Sequence, residues 1–260
     1  MPIPTESIGS IPRSRELLTA MQDHAAGPFS DAQLQAAQSE ALGDTIAGLE
    51  KTGSPVLTDG EQTKPSFATY PLAGLRNLAP DGVTIPFADG HTRQLPLAAG
   101  PFAYGVHAVA YLKAAQKYTT RPLKQAVISA SALSLLYPAA GLPDYPKQKF
   151  LEDLLNEAER DIRECVGAGA ANVQIDFTEA RLSLKLDPSA GLLRAFVDLN
   201  NQVLNRFSAA ERKKIGAHTC PSGDRDSTHS ADVDYSGLLP LLFELNAGRF
   251  YIQLASEADR

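Results

Sequence analysis

The chain has 260 residues, 43% of them hydrophobic and 21% charged, with a formal net charge of −6. That length suits one or two domains, and that composition is enough for a full core. The acidic balance, with no basic run interleaved with aromatics, argues against nucleic acid or an anionic membrane as partner.

Two cysteines make no disulfide framework, and no apolar run approaches the roughly 18 residues of a membrane span. The N-terminal MPIPTESIGS has no signal pattern, so a reducing cytoplasm is the expected location.

In chain order, short apolar runs fall at 6–10 (ESIGS), 55–60 (PVLTDG), 125–130 (QAVISA), 172–177 (NVQIDF), 214–220 (KIGAHTC) and 250–256 (FYIQLAS). They are too apolar for half-exposed strands and fit a parallel sheet covered on both faces. Helical patterns lie between them. One spans 31–50, where Ser30 can cap and Gln33 can reciprocate. Another spans 147–166, whose stripe of Leu151, Leu154, Leu155, Ala158, Ile162 and Cys165 assigns Cys165 to the core. Two more cover 189–207 and 235–246.

Residues 70–120 break the alternation, and VTIPFADGHTRQLPL predicts a hairpin insertion within 80–100, turning at Asp89-Gly90. Repeated strand–helix units predict a single α/β domain over 1–260, a parallel sheet or (β/α)8 TIM-type barrel. Six strands are two short of closure, so the chain as given is expected to end after the sixth.

Function collects at the carboxyl ends of such strands. Those ends carry Ser10, then Asp59 and Glu61, Ser129 and Ser131, Asp176, His218 and Cys220, and Ser256 and Glu257. Any one of them alone reads more readily as the cap of the next helix. Six together make a polar rim. His218 and Cys220, two apart, share a face of their strand, and imidazole and thiolate both suit zinc. The pair is half a site. The competing reading makes Cys220 a nucleophile with His218 as its base, which needs a third, orienting group.

His229 is expected in a polar loop, solvated or capping, and His91 on the exposed hairpin. Asp176 ends an apolar strand, where a carboxylate is costly unless paired or solvated. With Glu61 it suits a cationic ligand group or a metal, and spacing does not choose between these. Gly60 permits a tight turn beside them.

SIGSIPR, TDGE, QID and HTC, in that order, resemble the catalytic domain of cobalamin-independent methionine synthase in its short, single-barrel form. The likeness covers essentially the whole chain. It implies an eight-stranded barrel holding Zn2+, on which homocysteine binds as a thiolate and takes the methyl group of a methyltetrahydrofolate.

By that resemblance His218 and Cys220 match zinc ligands. Glu257 stands in for a glutamate that falls near Ala255. Ile8, Gly9 and Ser10 match the stretch that holds the amino acid's carboxylate. Glu61 and Asp176 match the acids that hold its ammonium and place it for reaction. The chain departs from the family in several places. The last cysteine ligand belongs to an eighth strand the chain does not contain, and no Trp faces the pterin, with Tyr137 the stand-in. Phe177 and Thr178 replace an acid and a proline.

The expected function is zinc-dependent methyl transfer to a thiol, homocysteine first. The alternatives are alkyl transfer to another thiol, as in epoxide-opening coenzyme M transferases, and a non-catalytic metabolite-binding barrel. The expected partners are a small thiol and a methyl donor, with a homo-oligomer left open.

Overall fold

A computed structural model describes residues 5–224 and 227–254. It begins with a helix the sequence pattern did not reveal, α1 (Arg15–Ala26), capped by Ser14 and closed by Gly27. Only Leu17 and Ala20 of α1 are buried, too few to print a stripe. Ser30 and Gln33 then form the expected capping box of α2 (Asp31–Lys51).

The insertion follows as two antiparallel pairs. β1 (Leu78–Ala79) pairs with β4 (Leu97–Ala98), and inside it β2 (Thr84–Pro86) pairs with β3 (Thr92–Gln94). The turn passes through Gly90 as expected.

Strand–helix alternation begins after α3 (Val109–Ala115) with β5 (Lys124–Ile128), α4 (Ala130–Ser134) and α5 (Lys147–Gly167). It continues with β6 (Asn172–Asp176), α6 (Glu179–Leu186), α7 (Gly191–Leu204), the short α8 (Ala209–Arg212) and β7 (Ile215–Thr219). A small pair, β8 (Gly223–Asp224) with β9 (Ser227–Thr228), precedes α9 (Tyr235–Leu242) and β10 (Arg249–Ile252). The main sheet runs β10-β7-β6-β5, and every pairing in it is parallel.

All residues of β5, β6 and β7 are buried, which is what their unbroken apolar pattern demanded. On α5, Leu154, Leu155, Ala158, Ile162 and Cys165 pack into the core, and Cys165 is wholly inaccessible.

The two earliest expected strands need correction. Segment 55–60 contributes only an isolated parallel bridge, Leu57 to Leu123. Segment 6–10 is not a strand. The Gly9 carbonyl accepts the Thr58 side-chain hydroxyl at 3.1 Å, and the next backbone contact is Ile11 N–H to Gly60 O at 3.0 Å. A side chain ties these segments where a ladder was expected. The fold is thus α/β around a parallel sheet, and among the described residues no helix is long and apolar enough to cross a membrane.

Candidate functional site

The TDGE loop leaves the end of the 55–60 segment through two consecutive left-handed residues, Gly60 at φ 62° and Glu61 at φ 55°. A Cβ on Gly60 would lie 2.5 Å from Thr45 Cγ2, so glycine is required there. Glu61 has no such licence, and a non-glycine residue in this region is strained.

The loop compensates with hydrogen bonds. Asp59 Oδ1 accepts the Glu61 N–H at 3.0 Å. Arg13 Nη2 donates to the carbonyls of Glu61 and Lys64 at 2.9 and 2.6 Å. The result aims the Glu61 carboxylate at two partners: Ser10 Oγ donates to Oε2, and Lys64 Nζ to Oε1 at 3.0 Å. Burial opposes the Glu61 charge, but Lys64 and Ser10 outweigh it and hold the carboxyl below its usual range. Half-buried Ile8 and buried Gly9 lead into Ser10, so the expected 8–10 stretch does border Glu61.

Asp176 and His218 end up side by side, as register partners at the carboxyl ends of β6 and β7. Asp176 Oδ1 accepts the Gln174 amide at 2.7 Å. Burial, reinforced by the Glu61 charge, pushes the Asp176 carboxyl up to about 7.

His218 is buried, and its Nδ1 lies 3.1 Å from the carbonyl of Tyr251, its neighbour on β10. A carbonyl can only accept, so Nδ1 carries the proton and Nε2 presents a lone pair. Gly216 makes room for this arrangement, because a Cβ there would meet the Tyr251 ring at 2.4 Å. Burial pulls the imidazole down to about 4. It is neutral at pH 7, the form that binds metal.

Cys220 is also buried, its Sγ accepting the Ser222 N–H at 3.3 Å. Burial raises its thiol to about 11. Among the described residues His218 makes no hydrogen bond to Cys220, which disfavours the nucleophile reading. His218 and Cys220 have the donor chemistry zinc prefers, yet no third histidine, cysteine or carboxylate joins them among the described residues. Ser256 and Glu257, the expected donor, lie outside those residues.

Several expected site residues have other duties. Ser129 caps α4, and both Ser129 and Ser131 donate to the buried Glu179 carboxylate. The Tyr137 hydroxyl donates to Tyr145 O, and its ring packs on Phe150. His229 is buried against Phe87, with burial lowering it to about 4, so the solvated reading was wrong.

His91 is likewise not exposed. It stacks on Phe87 and bridges Asp89 and Asp224. Arg93 pairs with the same Asp224, so the hairpin clamps the segment that follows Cys220. Lys64 and Glu179 were not among the expected site residues, and Arg13 entered only as the last residue of SIGSIPR.

No family model matches the chain. Among curated proteins it is 25% identical over 228 residues to a 5-methyltetrahydropteroyltriglutamate–homocysteine methyltransferase of Bradyrhizobium diazoefficiens, covering 86% of this chain and 29% of that one. The chain thus spans about three tenths of such relatives. Among solved structures, a putative vitamin-B12-independent methionine synthase of Listeria monocytogenes aligns with a TM-score of 0.65 at 18% identity, covering 96% of this chain and 79% of that one. The B12-independent methionine synthase of Shewanella sp. W3-18-1, solved with selenomethionine, aligns with a TM-score of 0.63 at 18% identity, covering 88% and 64%. The chain thus has the fold of the two solved B12-independent methionine synthase structures and is similar in sequence to part of the curated methyltransferases.

Proposed function

We propose that the chain is a zinc-dependent methyltransferase of thiols, with homocysteine the first acceptor to test and a methyltetrahydrofolate-type compound the donor. The observation that carries this reading is the meeting of three separate motifs at one end of the sheet. Asp176 and His218 are register partners, Cys220 follows two residues later, and the Glu61 charge acts on both Asp176 and His218. The names of the curated relatives supply the reaction class.

In this reading His218, Cys220 and Glu257 would hold the metal, and the parallel sheet belongs to a barrel of the (β/α)8 type. Zinc, when bound, supplies the Lewis acidity that makes a thiol of pKa ~8.5 a thiolate at neutral pH. The protein's own residues do the rest. The Ile8–Ser10 backbone takes the acceptor's carboxylate. Asp176 and Glu61 fix its amino end, so that the sulfur faces the donor's methyl carbon. The new sulfur–carbon bond forms as the donor's nitrogen–carbon bond breaks; the nitrogen keeps the electron pair and takes up a proton, which balances the one the thiol gave up. His218, fixed by Tyr251, stays neutral throughout.

Metal analysis and a methyl-transfer assay test the two halves of the reading. We expect about one zinc per chain, most of it lost in Cys220→Ser. Unchanged zinc in that variant rejects the ligand assignment. No methylated product from homocysteine or any other thiol rejects the reaction.

A further inference from the structure

The site contains a cation that the functional reading leaves unused. Lys64 is wholly buried, and its Nζ donates to Glu61 Oε1 at 3.0 Å and to the Ala126 carbonyl on β5 at 2.9 Å. The ring centroids of Tyr70 and Tyr111 stand 4.8 and 5.8 Å from it. Burial works against this ammonium, but Glu61, Asp59 and Asp176 face it and keep it charged.

Arg13 is a second cation whose charge acts on Glu61. Asp59 is engaged within its own surroundings, by the Glu61 N–H and the Gln125 amide. Lys64 thus faces both acids assigned to an acceptor's ammonium, Glu61 through a hydrogen bond and Asp176 through its charge.

We propose that Lys64 sets the acceptor specificity of this site: it holds the ammonium-binding side of Glu61, so the site accepts mercapto-carboxylates with or without an α-ammonium group. This rests on the thiol-methyltransferase reading above and widens its substrate class. A carboxylate that already has a buried ion-pair partner and a hydroxyl donor gains little from a further cation. A second ammonium beside the first also meets its repulsion.

Two pairs of probes test the idea on wild type, Lys64→Met and Lys64→Arg. Homocysteine and 4-mercaptobutanoate are compared as acceptors by kcat/KM. L-methionine and 4-(methylthio)butanoate, which need no thiol chemistry, are compared by calorimetry. In wild type and Lys64→Arg we expect the members of each pair to differ by less than about tenfold. In Lys64→Met the ratio moves about tenfold or more toward the amino compound.

A wild-type preference of tenfold or more for the amino compounds overturns the proposal. So does a folded Lys64→Met protein with an unchanged ratio. Should Lys64→Met fail to fold, the wild-type ratio decides alone. Absence of transfer to every thiol overturns the enzymatic reading, while the calorimetric ratio still decides this one. Failure of both product analogues to bind overturns both.

Discussion

The two halves of the site are built differently. In the TDGE loop both oxygens of Glu61 have partners, two cations attend it, and the backbone is held in a strained turn. At the ends of β6 and β7 the reverse holds. Among the described residues the His218 Nε2 and the second Asp176 oxygen make no hydrogen bond, and Cys220 Sγ has only one weak donor. One half is satisfied before any ligand arrives; the other has valences to give. The difference separates what the fold needs from what a ligand needs, and substitutions can pull the two apart.

The largest effect belongs to the satisfied half. Glu61→Ala strands a fully buried ammonium, and breaking a buried pair from one side costs about 3–5 kcal/mol. Glu61→Gln combined with Lys64→Met removes both charges and should recover most of that loss in urea unfolding. A single-mutant loss under about 1 kcal/mol would mean the pair behaves as a surface bridge and the contrast between the halves fails. The pH dependence has a definite sign. The Glu61 carboxyl is depressed in the folded state, so its contribution is present above its unfolded pKa and is lost as pH falls.

Asp161 provides the opposite sign just behind the loop. Its carboxylate, 1% exposed, accepts the Tyr70 hydroxyl and the Ala108 N–H at 2.6 Å. Burial nevertheless raises it to about 6. Its contribution is full below the unfolded value near 3.9 and is lost as pH rises through about 6, a swing on the order of 3 kcal/mol. Asp161→Asn should flatten the stability profile between pH 4 and 7. A profile as steep as wild type's would remove Asp161 as its source.

Much of this was legible in the sequence, for identifiable reasons. The strands at 125–130, 172–177 and 214–220 are buried on both faces, so their unbroken apolar runs located them within a residue or two. The α2 capping box was written in Ser30 and Gln33. What failed was non-local. Segment 6–10 looked like a strand because its composition says nothing about Thr58 taking the Gly9 carbonyl.

His229 stands in a polar stretch, and the hairpin's Phe87, more than a hundred residues away, packs against it. In the site, the spacing of His218 and Cys220 was readable, but the pairing of Lys64 with Glu61 was not. An i, i+3 charge pair normally implies a solvated helix face, and here it sits in a buried turn.

The smallest stability effect falls in the open half. Serine is nearly isosteric with cysteine, and Cys220 makes a single hydrogen bond, from the Ser222 N–H to its sulfur. Serine's shorter reach weakens that contact, while its hydroxyl gains a better acceptor for it. Those terms nearly cancel, so Cys220→Ser in metal-stripped protein should change unfolding free energy by less than about 1 kcal/mol. With zinc supplied the prediction reverses in size. Binding to the native state alone stabilises by mass action, and the variant forfeits whatever increment wild type gains. Melting curves of both proteins, with and without added zinc, read the two quantities in one experiment. A large loss in the stripped protein, with no zinc-dependent difference, would assign Cys220 to packing and leave the open half without its ligand.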